Sequence, residues 1–275
     1  MPHWCTPAQH VQLAAAAAGC LAACGAGGQL EELRLSSLGT TMPLGSLAAL
    51  TRLRRLHAVC DTLSFTAELS PLTDVQYMQM HGDPRFEAPA RLPSSLTCLQ
   101  LSDTRSDAMP EQLTLLPGLQ RLSLSAGNYS AASMAPLSRL TALTHLVLDL
   151  DVGSLPTASL ASLTRLRFLR TNWRPDPPAR HLLDAALQAL QRLTCLSLAS
   201  GGIPPAVGGL PLLQCFFWQP EEDDEEEQAG QPPALPRTHS LHSLRCLGLP
   251  WRSAAASVPA LAAMPALQEL SQVCF

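Results

Sequence analysis

The hydrophobic positions of the chain follow a short pattern, L-x-x-L-x-L, that recurs along almost its whole length. Mainly apolar residues occupy the first, fourth and sixth positions, and mainly polar residues occupy the second, third and fifth. Successive copies are 20 to 31 residues apart. This period predicts a solenoid in which each copy is one stacked unit. The fourth positions are Leu33, Leu56, Met78, Leu99, Leu122, Leu146, Leu169, Leu196, Phe216, Leu247 and Leu270.

Alternation within each copy predicts a short β-strand with one buried and one displayed face. In the copy at residues 193–198, Leu196 and Leu198 are expected to point inward, while Cys195 and Ser197 point outward. The glycine- and proline-rich stretch GGIPPAVGGL (201–210) then carries the chain back across the unit. One such unit cannot cover its own leucines, so about eleven of them are expected to stack.

Two longer connections interrupt the repeat. Residues 177–193 predict a helix that opens at Pro177 and Pro178 and carries Leu182, Ala186, Leu190 and Leu193 on one face. Residues 220–240 are acidic and then proline-rich, lack periodicity and are expected to be disordered. Residues 1–29 are rich in alanine and predict a helical cap ahead of a single repeat domain at 30–275.

With these eleven copies, the chain resembles leucine-rich-repeat proteins over residues 30–275, and GGIPPAVGGL is similar to the half-repeat of plant-type members. The resemblance implies an α/β solenoid that is curved, with a parallel β-sheet on the concave face and loops and short helices on the convex face. It also implies an intracellular, cytoplasmic protein that recruits or recognises a regulatory or cytoskeletal partner protein.

Charge and motifs narrow the function. The 18 basic residues are all arginine, so chemistry that requires a lysine amine is excluded. Seven of the 22 acidic residues lie in EEDDEEE (221–227), which leaves a body too weakly basic for a strong nucleic-acid footprint. Hydrolase, zinc-protease and phosphate-loop motifs are absent. The expectation is a non-catalytic scaffold without a cofactor or metal.

Nine cysteines without a C-x-x-C pair favour reduced thiols inside the cell. The alternative is a secreted or cell-surface recognition fragment, in which residues 11–28 are a signal peptide and Asn128 carries a glycan. Apolar runs long enough to span a membrane are not found in the sequence. Cys195, Cys215 and Cys246 share one outward column, where a structural role is expected because zinc would need a fourth ligand.

The predicted binding patch lies on the outward strand positions of the middle and C-terminal repeats. Aromatic and arginine side chains dominate the energetics of interfaces, and they converge on this part of the chain. The alternative is that its tryptophans cover the rim of the core. The chain also ends inside a repeat, so the C-terminal edge is expected to contact a partner or to continue in a longer protein. The patch consists of His145, Phe168, Arg170, Trp173, Phe217 and Trp251.

Overall fold

The computed structural model divides the chain into two compact units, residues 1–128 and 129–275. The predicted cap at 1–29 and the predicted insertion at 220–240 lie outside the residues that the structure describes. The described residues are 30–43, 47, 50–65, 69–86, 91–104, 107, 109–125, 129–130, 132–149, 156–172, 180–199, 203–219, 242–249 and 266–272.

The first unit contains parallel strands that pair with their neighbours in chain order. The register aligns the repeats, since Leu56 lies opposite Met78 and Met78 lies opposite Leu99. Outward positions of the same number therefore form columns across neighbouring strands. The strands are β1 (Glu32–Pro43), β2 (Arg55–Phe65), β3 (Tyr77–Phe86), β4 (Cys98–Ser102) and β5 (Arg121–Ser125).

Strands β1, β2 and β3 run well past the repeated motif, which the sequence pattern does not predict. The ladder between β2 and β3 shifts register between Val59 and Thr62, so that two residues of β2 face Gly82 of β3. Gly82 has a φ of 120°. A Cβ atom at Gly82 would overlap the carbonyl oxygen of Cys60, so only glycine fits this bulge.

The second unit repeats the arrangement, again with parallel strands paired in chain order. Leu196 lies opposite Phe216, and Phe216 lies opposite Leu247, so the motif copies stay in register here too. The strands are β6 (His145–Asp149), β7 (Phe168–Thr171), β8 (Cys195–Ala199), β9 (Cys215–Gln219), β10 (Cys246–Leu249) and β11 (Glu269–Gln272).

The helix predicted at residues 177–193 is confirmed over Arg180–Ala189, but Leu190 and Leu193, which were predicted to lie on its face, lie in the turn after it. Its predicted apolar face was partly wrong, because Leu182 is 46% exposed. The buried face of this helix consists of Leu183, Ala186 and Leu187. It therefore begins at Leu183, one residue after the predicted Leu182. The other described helices are Thr157–Ala161 and the 3₁₀ helices Glu111–Leu115, Ala135–Arg139 and Pro205–Gly209.

The described segments that lead from one strand to the next consist largely of tight turns, in which a leucine occurs every three residues. In the turn before β6, the Leu140 N–H donates to the Leu137 carbonyl, and the Leu143 N–H donates to the Leu140 carbonyl, both at 3.0 Å. Three residues per turn is the 3₁₀ geometry, so all three leucines point to the same side. Each is at most 1% exposed.

Main-chain hydrogen bonds also join successive repeats just before each strand begins. The N–H groups of Arg167 and Phe168 both donate to the carbonyl of Thr144, at 2.8 and 3.0 Å. The same pair of bonds links every neighbouring pair of repeats described within either unit. Because one carbonyl receives two donors, it fixes the position at which the next strand starts.

Alternation along the strands confirms the predicted inward and outward faces. Leu196 and Leu198 are at most 1% exposed, whereas Cys195 and Ser197 are half-buried on the opposite face. A fully buried leucine stabilises the fold by roughly 1.5–3 kcal/mol, so its burial determines which residues the sheet displays. The outward face follows from this core.

Candidate functional site

The predicted patch begins with an aromatic pair on β6 and β7. His145 and Phe168 lie directly opposite each other in the ladder, and both are half-buried. Their ring centroids are 5.8 Å apart and their planes are inclined by 21°, so the two rings stack. Such a pair presents a flat surface on the outward face of the sheet.

A second outward column carries the arginine and the second phenylalanine of the patch. Arg170 faces Ser197 on β8, and Ser197 faces Phe217 on β9. Arg170 is exposed and Phe217 is half-buried. Two strand spacings separate the pair, roughly 10 Å. Trp173 and Trp251, which the sequence analysis also placed in the patch, lie outside the described residues.

Between the aromatic pair and the end of the sheet runs a row of thiols, which we call the thiol column: Cys195, Cys215 and Cys246. Cys215 lies opposite Cys195 on one side and Cys246 on the other. All three are unpaired and half-buried. Burial, with Cys215 beside it, raises the pKa of Cys195 to about 12. A hydrogen bond with Cys215, together with burial, raises the pKa of Cys246 to about 11.

These pKa values indicate that Cys195 and Cys246 are neutral thiols near pH 7 and therefore weak nucleophiles. The acidic neighbour of the row is Glu269, whose Oε2 accepts a hydrogen bond from the Cys246 thiol at 3.6 Å. In the described part of the chain, histidine, cysteine and carboxylate side chains do not form a group of three or more that could hold a metal. His239 and His242 are three residues apart in the sequence, but His242 is exposed and His239 lies outside the described residues.

The first unit carries a polar network that the sequence analysis did not single out. Gln79 is its centre: its Oε1 accepts hydrogen bonds from the Tyr77 hydroxyl and from the His57 Nδ1, both at 3.0 Å. Its Nε2 lies 3.1 Å from the His81 Nε2, which accepts this hydrogen bond. The single Tyr77 hydroxyl proton is shared between Gln79 Oε1 and Gln100 Oε1, which lies 3.1 Å from the hydroxyl. With the Gln79 amide in this orientation, neutral imidazoles at His57 and His81 carry their proton on Nδ1.

Carboxylates stand at both ends of this network. Glu32 Oε1 is 3.9 Å from His57 Nε2, and Asp103 Oδ2 is 3.8 Å from His81 Nδ1. A hydrogen bond from Arg34 holds the pKa of Glu32 below its usual value. His57, Gln79 and His81 line a depression of about 260 Å³ together with Arg34. The network was predictable in principle, because the register alone places these side chains in adjacent columns.

Helices in the described part of the chain are all too short or too polar to cross a bilayer.

Comparison with solved structures supports the fold. An internalin from Listeria monocytogenes matches with a TM-score of 0.55 and 13% identity, over 89% of this chain and 81% of the internalin. An internalin C2 from the same organism matches with a TM-score of 0.46 and 17% identity, over 88% and 80% of the two chains. Protein-family models and curated proteins give no match. Internalins are leucine-rich-repeat proteins. Together with the parallel strands in register, the first likeness establishes that this chain has the leucine-rich-repeat fold.

Proposed function

We propose that the protein is a non-catalytic scaffold that binds a partner protein on the outward, predicted concave, face of the second unit. The observation that carries the proposal is the stack of His145 on Phe168, which lies on the same sheet face as the exposed Arg170 and half-buried Phe217. Residues of these types contribute most of the free energy at protein interfaces.

The stacked backbone favours binding because the surface is built before the partner arrives. Backbone hydrogen bonds at 2.8–3.0 Å fix where β7 and β8 start relative to the preceding strands. The side chains of Phe168 and Arg170 project from one strand, so their spacing is set by the pleat. A preorganised surface loses little conformational entropy on binding, and more of the contact energy appears as affinity.

Arg170 indicates the chemistry of the partner. A planar guanidinium binds a carboxylate through two parallel hydrogen bonds. Salt bridges among the described residues do not involve Arg170. The proposed partner therefore presents a carboxylate close to apolar side chains, which would cover the His145–Phe168 stack.

The experiment is quantitative capture of proteins from a nuclease-treated extract of the native cells. Wild type is compared with the triple variant Phe168→Ala, Arg170→Ala, Phe217→Ala. A matched control removes the same kinds of side chain outside the sheet, Leu182→Ala, Arg192→Ala, Leu212→Ala, all of which are exposed.

Proteins retained by wild type and by the control variant but lost by the patch variant, with unchanged circular dichroism, would support the proposal. Equal retention by the patch and control variants would contradict it. A partner released by nuclease treatment would also contradict it, because the contact would then depend on nucleic acid.

We further propose a cytoplasmic location, because Cys98 and the three cysteines of the thiol column are not joined in disulfides. Mass spectrometry of the protein isolated from native cells tests this: an intact N-terminus and an unmodified Asn128 are expected. Cleavage near Gly28 with a glycan on Asn128 would instead support a secreted protein. A partner contact at the edge of the sheet beside β11 stays a prediction.

A further inference from the structure

The thiol column differs from the rest of the outward face in its chemistry. Cys195, Cys215 and Cys246 occupy the same position of three successive strands, and ladder pairing places Cys215 directly between the other two. The remaining described cysteines, Cys60 and Cys98, have no cysteine opposite them in their ladders. The column is therefore two adjacent thiol pairs that share their central member.

The thiols are neighbours on one face of the sheet and are reachable from solvent. Cys215 is paired in the ladder with both Cys195 and Cys246, one strand spacing of roughly 5 Å away on either side. All three side chains are half-buried rather than enclosed. A ligand can approach from the open face of the sheet without a change in the backbone.

The identity of the neighbours excludes one class of metal site and favours another. Zinc in a structural site needs four ligands, and in the described residues no group of three or more His, Cys, Asp or Glu side chains, the thiol column and Glu269 included, is arranged around one possible metal position. Soft ions of the copper(I) class select thiolate ligands, and two such ligands suffice for them. The residue opposite Cys195 on its other side is Phe168, which supplies an apolar border and no competing ligand.

We propose that the thiol column binds soft, thiophilic metal ions of the copper(I) class through two thiolates, with Cys215 as the ligand common to both possible pairs. Each binding event forms two metal–sulfur bonds and releases two protons, one from each thiol. The oxidation state of the metal and of the protein does not change. The site borders the proposed partner patch, because Phe168 lies opposite Cys195 and Phe217 follows Cys215 on the same face of β9.

Because Cys215 belongs to both thiol pairs, its replacement should weaken copper(I) binding far more than replacement of Cys195 or Cys246. Independent, nonspecific thiols would give equal losses. The measurement is competition for copper(I) against a chromophoric chelator without oxygen, with the full-length protein kept reduced. Cys215→Ser is expected to weaken the site at least about 100-fold, since it destroys both pairs. Cys195→Ser and Cys246→Ser, each leaving one pair, are expected to stay within about tenfold of wild type. The control Cys98→Ser is expected to have no effect.

Three results would overturn the proposal: wild-type affinity in Cys215→Ser, a loss in Cys195→Ser as large as that in Cys215→Ser, or retention by the double variant Cys195→Ser, Cys246→Ser. Zinc(II) bound as tightly as copper(I) would also overturn it. A measurement on the wild-type protein tests the same proposal even if a variant does not fold. Copper(I) should protect Cys215 from alkylation, measured on the peptide by mass spectrometry, and unprotected Cys215 would contradict the proposal.

Discussion

The bulge at Gly82 gives the sharpest test of how β2 and β3 fit together, through the variant Gly82→Ala. The φ of 120° is a backbone conformation that L-residues adopt at a cost of about 1–3 kcal/mol. The new Cβ would also overlap the carbonyl oxygen of Cys60, so the strands must separate locally. Separation leaves a ladder hydrogen bond unmade, which costs about 1–3 kcal/mol.

One effect opposes this loss. Alanine restricts the unfolded chain more than glycine does, which stabilises a protein by about 0.4–1 kcal/mol. The two costs together are about 2–6 kcal/mol, so the expected net loss in the free energy of unfolding is about 1–6 kcal/mol. With a urea dependence near 2 kcal/mol per molar, the midpoint of unfolding falls by about 0.5–3 M.

Gly118→Ala is the matched control in the same unit, because a Cβ atom there would have no neighbour within 4 Å. Its midpoint is expected to stay level or to rise slightly. Urea unfolding followed by circular dichroism compares the two variants, and amide hydrogen exchange locates the loss to β2 and β3. Equal midpoints for Gly82→Ala and Gly118→Ala would refute the assignment of the bulge.

Three further predictions concern the core, the thiols and the polar network. Leu196→Ala should lower the free energy of unfolding by about 2–5 kcal/mol, because Leu196 is fully buried. Leu212→Ala, at a site 49% exposed, should change it by less than about 0.5 kcal/mol. A similar loss from both would contradict the assignment of Leu196 to the buried face of the sheet. Because the pKa values of Cys195 and Cys246 are about 12 and 11, their alkylation at pH 8 should be at least about 100-fold slower than in the urea-unfolded chain, and should rise about tenfold per pH unit up to pH 10. Peptide mass spectrometry measures these rates, and equal rates in the folded and unfolded chains would exclude the burial described. Gln79→Leu should destabilise the first unit by about 1–3 kcal/mol in urea unfolding, because it leaves several partially buried groups without their partner, and an unchanged midpoint would speak against the network.

The strands and their register were predictable because each copy of the motif carries its own phase. Buried Leu196 and Leu198 fix the faces of β8, and the same logic fixes its neighbours. The turns have a second pattern, a leucine every three residues, as at Leu137, Leu140 and Leu143. This spacing differs from the α-helical spacing of three and four residues, so the sequence analysis did not predict these turns. A period of three indicates 3₁₀ turns, and it also precedes most of the other strands.

The extension of β1 to β3 could not be predicted from the motif, because those residues lack its alternation. It depends on pairing between distant segments and on one glycine, Gly82, whose requirement becomes visible only when Cys60 lies opposite it. The candidate site was predictable in part. Phase alone placed His145 and Phe168 on the outward face, but the stacking of their rings depends on side-chain rotamers.

Within each unit, the carbonyl that accepts two hydrogen bonds just before the next strand affects how the outward face of the sheet can change by substitution. Since peptide groups and buried leucines hold neighbouring repeats together, most displayed residues outside the Gln79 network contribute little to the stability of the stack. Point substitutions at those sites can therefore alter what the protein recognises while its framework persists. Because framework residues and outward residues are different, the outward positions of one repeat could be redesigned without changing the others.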